Sequence, residues 1–144
     1  METRDEILAK MATIQKCLAR IGEVTGFDPY SLDDMDKQDI FVLNLQRAVR
    51  AAIAIAAQIT ASSAIGIPQN IAGIFLQLHR ARIIDEPLLI RMHDMADFWN
   101  VAVYDYEALD IDILKSILVH RLKDLEEFYD AAIGYLEKTV QNSD

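Results

Sequence analysis

The chain has 144 residues and a mass of 16.3 kDa, with 23 acidic and 14 basic side chains and a formal net charge of -9. This acidic balance argues against a non-specific binder of polyphosphate, although it leaves room for a local basic cleft. The 52% apolar content, with five glycines and three prolines, favours a folded all-α protein over a disordered or β-rich one. We expect a single domain over residues 1–138, followed by a polar tail over residues 139–144.

Three features bear on the cellular compartment. Cys17 has no second cysteine to pair with, which favours a reducing compartment. The charged N-terminus is not followed by the apolar block of a signal peptide. The most apolar stretch, Ala48 to Ile59, is interrupted by Arg50 and Gln58 and is shorter than the ~20 residues that cross a bilayer. We therefore expect a soluble, cytoplasmic protein.

The first predicted helix carries apolar residues at alternating spacings of four and three, which places them on one face. Gly22 and Gly26 are expected to end this helix, and the polar, proline-containing residues 27–34 form a loop. Asp36 is the predicted N-cap of a second helix that runs to about Ser62. The apolar face of the first helix comprises Ile7, Met11, Ile14, Leu18 and Ile21.

The second predicted helix is apolar on nearly every side between Ala48 and Ile59. A helix of this kind must be covered on more than one face. It is therefore either the central helix of the bundle or a helix that lies partly at a dimer seam. The sequence alone does not choose between these two interpretations.

Three further helices are predicted by their capping residues. Asn70 caps a short third helix, Asp85 with Pro87 begins a fourth, and Asp110 caps the last. The fourth helix has Leu88, Met92, Met95, Trp99 and Val103 on one face. No stretch alternates with a period of two for long, so no strands are expected. The sequence predicts an antiparallel up-and-down bundle of four long helices and one short helix.

The end of the fourth helix, Phe98 to Tyr106, carries the clearest motif. It resembles the Arg-x4-His-x-Tyr segment of HEPN ribonuclease domains, in particular the HepT-like toxins that pair with minimal nucleotidyltransferase (MNT) antitoxins. Trp99 stands at the place of the arginine and Tyr104 at the place of the histidine. The resemblance runs from about Ile7 to Ile133 and includes Lys37-Gln38-Asp39, residues 42–48, residues 66–69, Asn100 to Val103, Asp105-Tyr106 and residues 109–113.

The resemblance implies an HEPN-like fold and metal-independent RNA cleavage in a cleft shared by two subunits of a homodimer, without a cofactor. The histidine would transfer a proton at the ribose 2′-hydroxyl, and the arginine would hold the phosphate. Trp99 has no charge, and an unperturbed tyrosine titrates near ~10, so Tyr104 is a poor base at neutral pH. Asp97 adds negative charge beside the same positions. The resemblance therefore predicts a degenerate ribonuclease.

The motif residues also have structural interpretations. Trp99 can pack in the core or at an interface, and Tyr104 and Tyr106 can be interfacial tyrosines. Tyr106 also matches the tyrosine on which, as the resemblance implies, the nucleotidyltransferase places AMP. Asn100 completes the candidate catalytic residues.

Two arginines are further candidate site residues, and three histidines are candidate metal ligands. Arg47 and Arg50 lie on the apolar second helix, where pairing with an acid such as Asp39 competes with binding of RNA phosphate. The histidines lie on three different helices without zinc-site spacing, so no metal site is predicted. The cluster Lys123 to Glu127 is predicted to be a solvated helix face. The three histidines are His79, His93 and His120.

The leading hypothesis is a catalytically degenerate HepT-like protein of a toxin–antitoxin module. As implied by the resemblance, it would form a homodimer and bind an MNT-type nucleotidyltransferase antitoxin, with RNA as a weaker partner. The alternatives are an active ribonuclease toxin that uses non-standard residues, and an inactivated variant of such a toxin.

Overall fold

The computed structural model describes residues 2–62, 71–105 and 109–142, which fold into a helical bundle. Within those ranges the helices are α1 (Glu2–Thr25), α2 (Met35–Ser62), α3 (Ile71–Arg80), α4 (Glu86–Tyr104), α5 (Ile111–His120) and α6 (Leu122–Asn142), with a short 3-10 helix at Pro29–Asp33 between α1 and α2. The described residues contain no strand, and the predicted all-α fold is confirmed. The predicted cap Asn70 lies outside the described residues.

Helix α2 is the central helix of the bundle. It packs against α1, α3, α4 and α6, and its buried residues lie on most of its circumference. Glu6 near the start of α1 accepts a hydrogen bond from Gln58 near the end of α2, so these two helices run antiparallel. Over Met35–Ala61 this helix is long and apolar enough, by length and composition, to cross a membrane, yet 56% of its most apolar window is buried within the bundle.

The core is formed by the predicted apolar faces. Ile7, Ile14 and Ile21 of α1 are buried, as are Leu88, Met92 and Met95 of α4. Phe75 of α3 and Phe128 of α6 meet edge to face, with ring centroids 5.6 Å apart. This geometry is the favourable arrangement for two aromatic rings and ties α3 to α6. The side chain of Val103, predicted on the same face of α4, is not among those described.

The end of α1 agrees with the prediction only at Gly26, and the start of α2 differs from it. Helix α1 continues through Gly22 to Thr25, and the chain leaves it at Gly26, whose φ of 60° is the left-handed conformation that glycine adopts at little cost. The cap of α2 is Asp34 and not Asp36, because the Asp34 carboxylate accepts hydrogen bonds from the backbone amides of Asp36 and Lys37. Asp36 lies instead in the first turn, where its charge favours the helix dipole.

The last predicted helix is two helices. Its predicted cap is confirmed, because the Asp110 carboxylate accepts from the amide of Asp112 at 2.8 Å. The helix then breaks at Arg121, so that α5 and α6 replace the single helix that was expected. Helix α6 extends to Asn142, four residues beyond the predicted domain boundary at Lys138.

Candidate functional site

The candidate site lies at the C-terminal end of α4. The helix begins at a well-formed cap, where Asp85 accepts a hydrogen bond from the amide of Leu88 and Pro87 stands in the first turn. It ends at Tyr104, and the amide of Asp105 donates to the carbonyl of Val101 at 2.8 Å. The motif residues from Phe98 to Tyr104 therefore occupy the last two turns of a regular helix.

Trp99 faces the core from this helix. Its side chain is half-buried and packs against the apolar cluster, as does that of Phe98. The core-packing interpretation of Trp99 is therefore supported over a role in ligand binding. A half-buried indole with a single N–H donor supplies no positive charge to the helix end.

Tyr104 and Asn100 lie one turn apart and are both exposed, with Tyr104 at 79% of its full exposure. The phenol hydroxyl is therefore open to solvent or to a partner. Tyr106, the third aromatic residue of the motif, lies outside the described residues. The acids Asp97 and Asp105 are exposed on the same helix end, which makes it electronegative.

A hydrogen bond that the sequence does not predict joins α2 to this helix end. The Gln46 side-chain amide donates to the carbonyl of Ala102 at 2.8 Å across the two helices. Arg47 and Arg50, on the same part of α2, have exposed side chains. A glutamine on an amphipathic helix has no spacing signal that reveals a partner 56 residues away.

The single cysteine is packed inside the bundle near the same part of α2. Burial raises the pKa of the Cys17 thiol, and the positive charge of Arg47 offsets this only in part. Thiolate is the reactive form of cysteine, so Cys17 is a packing residue and not a nucleophile.

The three histidines lie on α3, α4 and α5, as predicted. His79 Nδ1 is 3.1 Å from the carbonyl of Ile84, a contact that closes the α3–α4 turn. On α4, ligand atoms of His93, Asp94 and Asp97 lie within 4.8 Å of one another. Asp97 pairs with His93 at 3.5 Å, and Asp94 with Arg121 at 3.3 Å. Exposed acidic groups of this kind are common on helix surfaces, and these carboxylates already have protein partners.

The prediction that the cluster Lys123 to Glu127 is a solvated helix face is wrong for Asp124. Its carboxylate is fully buried and accepts from Arg91 Nη1 at 2.8 Å and from Arg121 Nε at 2.9 Å. Arg91 also donates to Glu127 at 2.5 Å. We refer to these groups, together with Asp94, as the arginine–carboxylate network. It fixes α4 against the junction of α5 and α6, on the helix that carries the candidate site.

The fold agrees with comparisons to known proteins. A family model described as Ribonuclease HepT-like matches residues 14–132. The chain is 38% identical over 126 residues to the mRNA nuclease HepT of Shewanella oneidensis, a match that covers 88% of this chain and 95% of the relative.

Solved structures of toxin–antitoxin complexes contain a chain with the same fold. A tri-AMPylated HEPN toxin of Shewanella oneidensis in complex with an MNT antitoxin matches with a TM-score of 0.85 and 37% identity, covering 90% of this chain and 98% of that one. A toxin–antitoxin crystal structure with AMP-PNP matches with the same score, identity and coverage. The architecture is that of an all-α HEPN domain. The chain belongs to the HepT-like family of HEPN proteins.

Proposed function

We propose that this chain is the HepT-like member of a toxin–antitoxin module, that it forms a homodimer and binds an MNT-type nucleotidyltransferase antitoxin, and that its ribonuclease site is degenerate. The observation that carries the loss of activity is the pair of residues at the motif positions. Trp99 packs against the core, and Tyr104 is an exposed phenol. Neither side chain supplies the guanidinium or the imidazole that the family motif implies.

The chemical consequence of this pair is large. Loss of general acid–base catalysis costs ~10²- to 10⁴-fold in rate, and loss of a group that stabilises charge costs ~10²- to 10³-fold. The exposed carboxylates of Asp97 and Asp105 add negative charge where RNA phosphate would bind. Cleavage at this helix end is therefore expected to be negligible.

Partner binding is supported by the extent of the likeness and not by the motif. The HEPN toxin that was solved with an MNT antitoxin is matched over 98% of its length, with its fold preserved. A surface that docks an antitoxin does not require the catalytic arginine and histidine. The chain can therefore retain the complex after losing the cleavage.

Partner binding is tested with the nucleotidyltransferase encoded beside this chain. We expect the two purified proteins to elute as one complex and to bind with a measurable heat in titration calorimetry. A chain that stays monomeric and shows no heat with that protein would contradict the proposal.

Tyr106 is the proposed AMP acceptor. Mass spectrometry after incubation with the nucleotidyltransferase and ATP should show added AMP in the native chain and none in a Tyr106→Phe variant.

The second candidate function is an active ribonuclease that uses Arg47, Asn100 and the tyrosines. It is favoured by one observation, the Gln46–Ala102 hydrogen bond, which holds the arginine-bearing part of α2 against the motif helix. Labelled tRNA or mRNA distinguishes the two candidates. Cleavage by the native chain that disappears in both Tyr104→Phe and Arg47→Ala would establish the enzyme.

Two further expectations remain proposals. The domain limits 1–138, with a tail at 139–144, and a cytoplasmic location fit a small protein with one helical core. The remaining alternative is an inactivated variant of an active toxin, in which Trp99 and Tyr104 replaced the original residues. The natural gene sequence tests this alternative. An arginine and a histidine codon there would identify the parent as an active toxin.

A further inference from the structure

A cavity of about 570 Å³ lies between the turn that joins α3 to α4 and one face of α6. Its size falls within the range of roughly 300–1,000 Å³ that is usual for small-molecule sites. Ile83 of the turn and Ala131 of α6 line it with apolar atoms, and both pack against the core of the bundle. None of the described motif residues lines this cavity, so it is distinct from the candidate site at the end of α4.

Two cations belong to the same cavity. Arg82 comes from the turn and Lys138 from α6, and both side chains are exposed. Within the part of the chain that the structure describes, neither of them forms an ion pair, although acidic residues outnumber basic ones by 23 to 14. Guanidinium and ammonium groups are the side chains that recognise carboxylate and phosphate. The cavity therefore combines an apolar lining with two cations that are available to an anion.

An adjoining cavity, which Arg82 also lines, has the opposite charge. It carries the carboxylates of Asp85, Glu86 and Glu127. Because like charges repel, these acids disfavour a second negative group on that side. An anionic group is therefore expected to bind on the side of Lys138.

Two residues of the cavity depart from what the fold alone favours. Arg82 has a φ of 63°, in the left-handed region where a residue other than glycine is strained. Gly134 lies in the interior of α6, where glycine is the least favourable residue after proline. Among the described residues, a methyl group added at Gly134 would meet no atom within 4 Å beyond its own stretch of helix, so packing inside the chain does not require glycine. Departures of this kind are expected where residues serve a ligand.

We propose that this cavity binds a free organic anion that carries one carboxylate or phosphate group on an apolar body. The anionic group pairs with Arg82 and Lys138. The apolar body lies against Ile83 and Ala131, which offer side chains without hydrogen-bonding groups. It passes over Gly134, where the missing side chain lets it approach the backbone of α6 closely.

This site is independent of the function proposed above. Gly134, Tyr135 and Lys138 line the cavity and follow residue 132, where the match to the family model ends. Binding at this cavity requires neither the second subunit nor the antitoxin. Failure of the site therefore leaves the proposed function in place, and failure of the proposed function leaves the site in place.

The site is tested by titration calorimetry of the full chain with three probes. Octanoate has both the anionic group and the apolar body, 1-octanol lacks the charge, and inorganic phosphate lacks the apolar body. We expect octanoate to bind once per chain with a dissociation constant of about 1 mM or tighter. The other two probes should bind at least about tenfold more weakly, since each loses one of the two contributions.

Two variants locate the binding in the cavity. Arg82→Gln/Lys138→Gln removes the charges, and Gly134→Leu fills the space above α6, so each should weaken octanoate binding at least about tenfold. Leucine is a better helix former than glycine, so Gly134→Leu should keep its helix content and melting temperature in circular dichroism, which separates blocked binding from unfolding. Lys16→Gln/Lys123→Gln makes the same change in net charge at two exposed lysines of α1 and α6 and should bind octanoate as the native chain does.

The opposite results would overturn the proposal. Octanoate binding no tighter than that of 1-octanol, or equal binding by the native chain and both cavity variants, would show that the cavity is not an anion site. Sedimentation with phosphatidylglycerol vesicles distinguishes a free ligand from a lipid surface. A net charge of -9 disfavours an anionic membrane, so no co-sedimentation is expected. Vesicle binding without octanoate binding would contradict a free ligand.

Discussion

Asp124 occupies the first turn of α6, and its carboxylate is completely buried between two arginines. A buried carboxylate is stable only when cations and hydrogen bonds replace its water. Arg91 and Arg121 both provide these, and both retain partial exposure at their own side chains. The network therefore joins three helices through one acid.

Replacing this acid should be costly. We expect Asp124→Ala to lower the free energy of unfolding by about 3 kcal/mol, because two arginines lose the partner that neutralises them inside the fold. Urea denaturation followed by circular dichroism measures the change. Asp130→Ala, an exposed acid on the same helix, serves as the control and should cost less than about 0.5 kcal/mol. Equal effects of the two substitutions would contradict the network.

Glu127 gives the network a pH dependence. The hydrogen bond from Arg91 lowers the pKa of Glu127, so this carboxylate favours the folded state. Its contribution is complete above the unfolded pKa of about 4.3 and is lost as pH falls through the lower folded pKa. Because the side chain is about half-exposed, the contribution is below about 1 kcal/mol.

Glu127→Gln should therefore reduce the loss of stability between about pH 5 and pH 3. Thermal unfolding of the native chain and of Glu127→Gln, measured across this pH range, tests the prediction. The two curves should converge at low pH, where Glu127 is protonated. Parallel curves for the two proteins would show that the Arg91–Glu127 contact contributes nothing that depends on pH.

At the scale of helices, Arg82 follows the end of α3 and has a backbone conformation that suits glycine. Its φ is 63°, its amide donates to the carbonyl of His79, and the amide of Ile83 donates to the carbonyl of Leu78. This is the hydrogen-bond pattern of a Schellman cap. A side chain in this left-handed region costs roughly 1–2 kcal/mol, which glycine avoids.

Arg82→Gly is expected to stabilise the protein by about 0.5–1 kcal/mol, since the relief of strain exceeds the added freedom of the unfolded chain. Arg82→Ala removes the same charge but keeps the strained φ, so it should give no such gain. Chemical denaturation measures the free energy of unfolding of both variants and of the native chain. A gain in the alanine variant would mean that the arginine charge, and not the backbone, is responsible.

Helix boundaries were predictable where a local signal exists. Asp85 and Asp110 precede apolar runs at capping distance, and both caps are confirmed. The break between α5 and α6 had no such signal, because the apolar spacing continues through it without glycine or proline. It occurs at Arg121, which remains in the right-handed helical region. The two acids that hold the Arg121 side chain include Asp94, 27 residues away, a distance that no local pattern shows.

For the whole molecule, composition shows the acidic charge, and the apolar pattern of α2 predicts a helix that is covered on more than one face. The sequence left open whether α2 is covered by its own chain or by a partner. The bundle covers α2 with four other helices and leaves Arg47 and Arg50 exposed, so the interpretation of α2 as the central helix is supported. The candidate site was located by its likeness to the HepT-like motif, while its link to α2 through Gln46 required the tertiary structure.

We propose that this HepT-like chain has lost RNA cleavage at the end of α4. The most direct measurement is the rate at which purified protein cleaves end-labelled mRNA, for the native chain and for a Trp99→Arg/Tyr104→His variant of equal helix content. We predict no cleavage above buffer by the native chain and a rate at least about 10²-fold higher in the variant. Rapid cleavage by the native chain that is abolished by Tyr104→Phe would contradict the account.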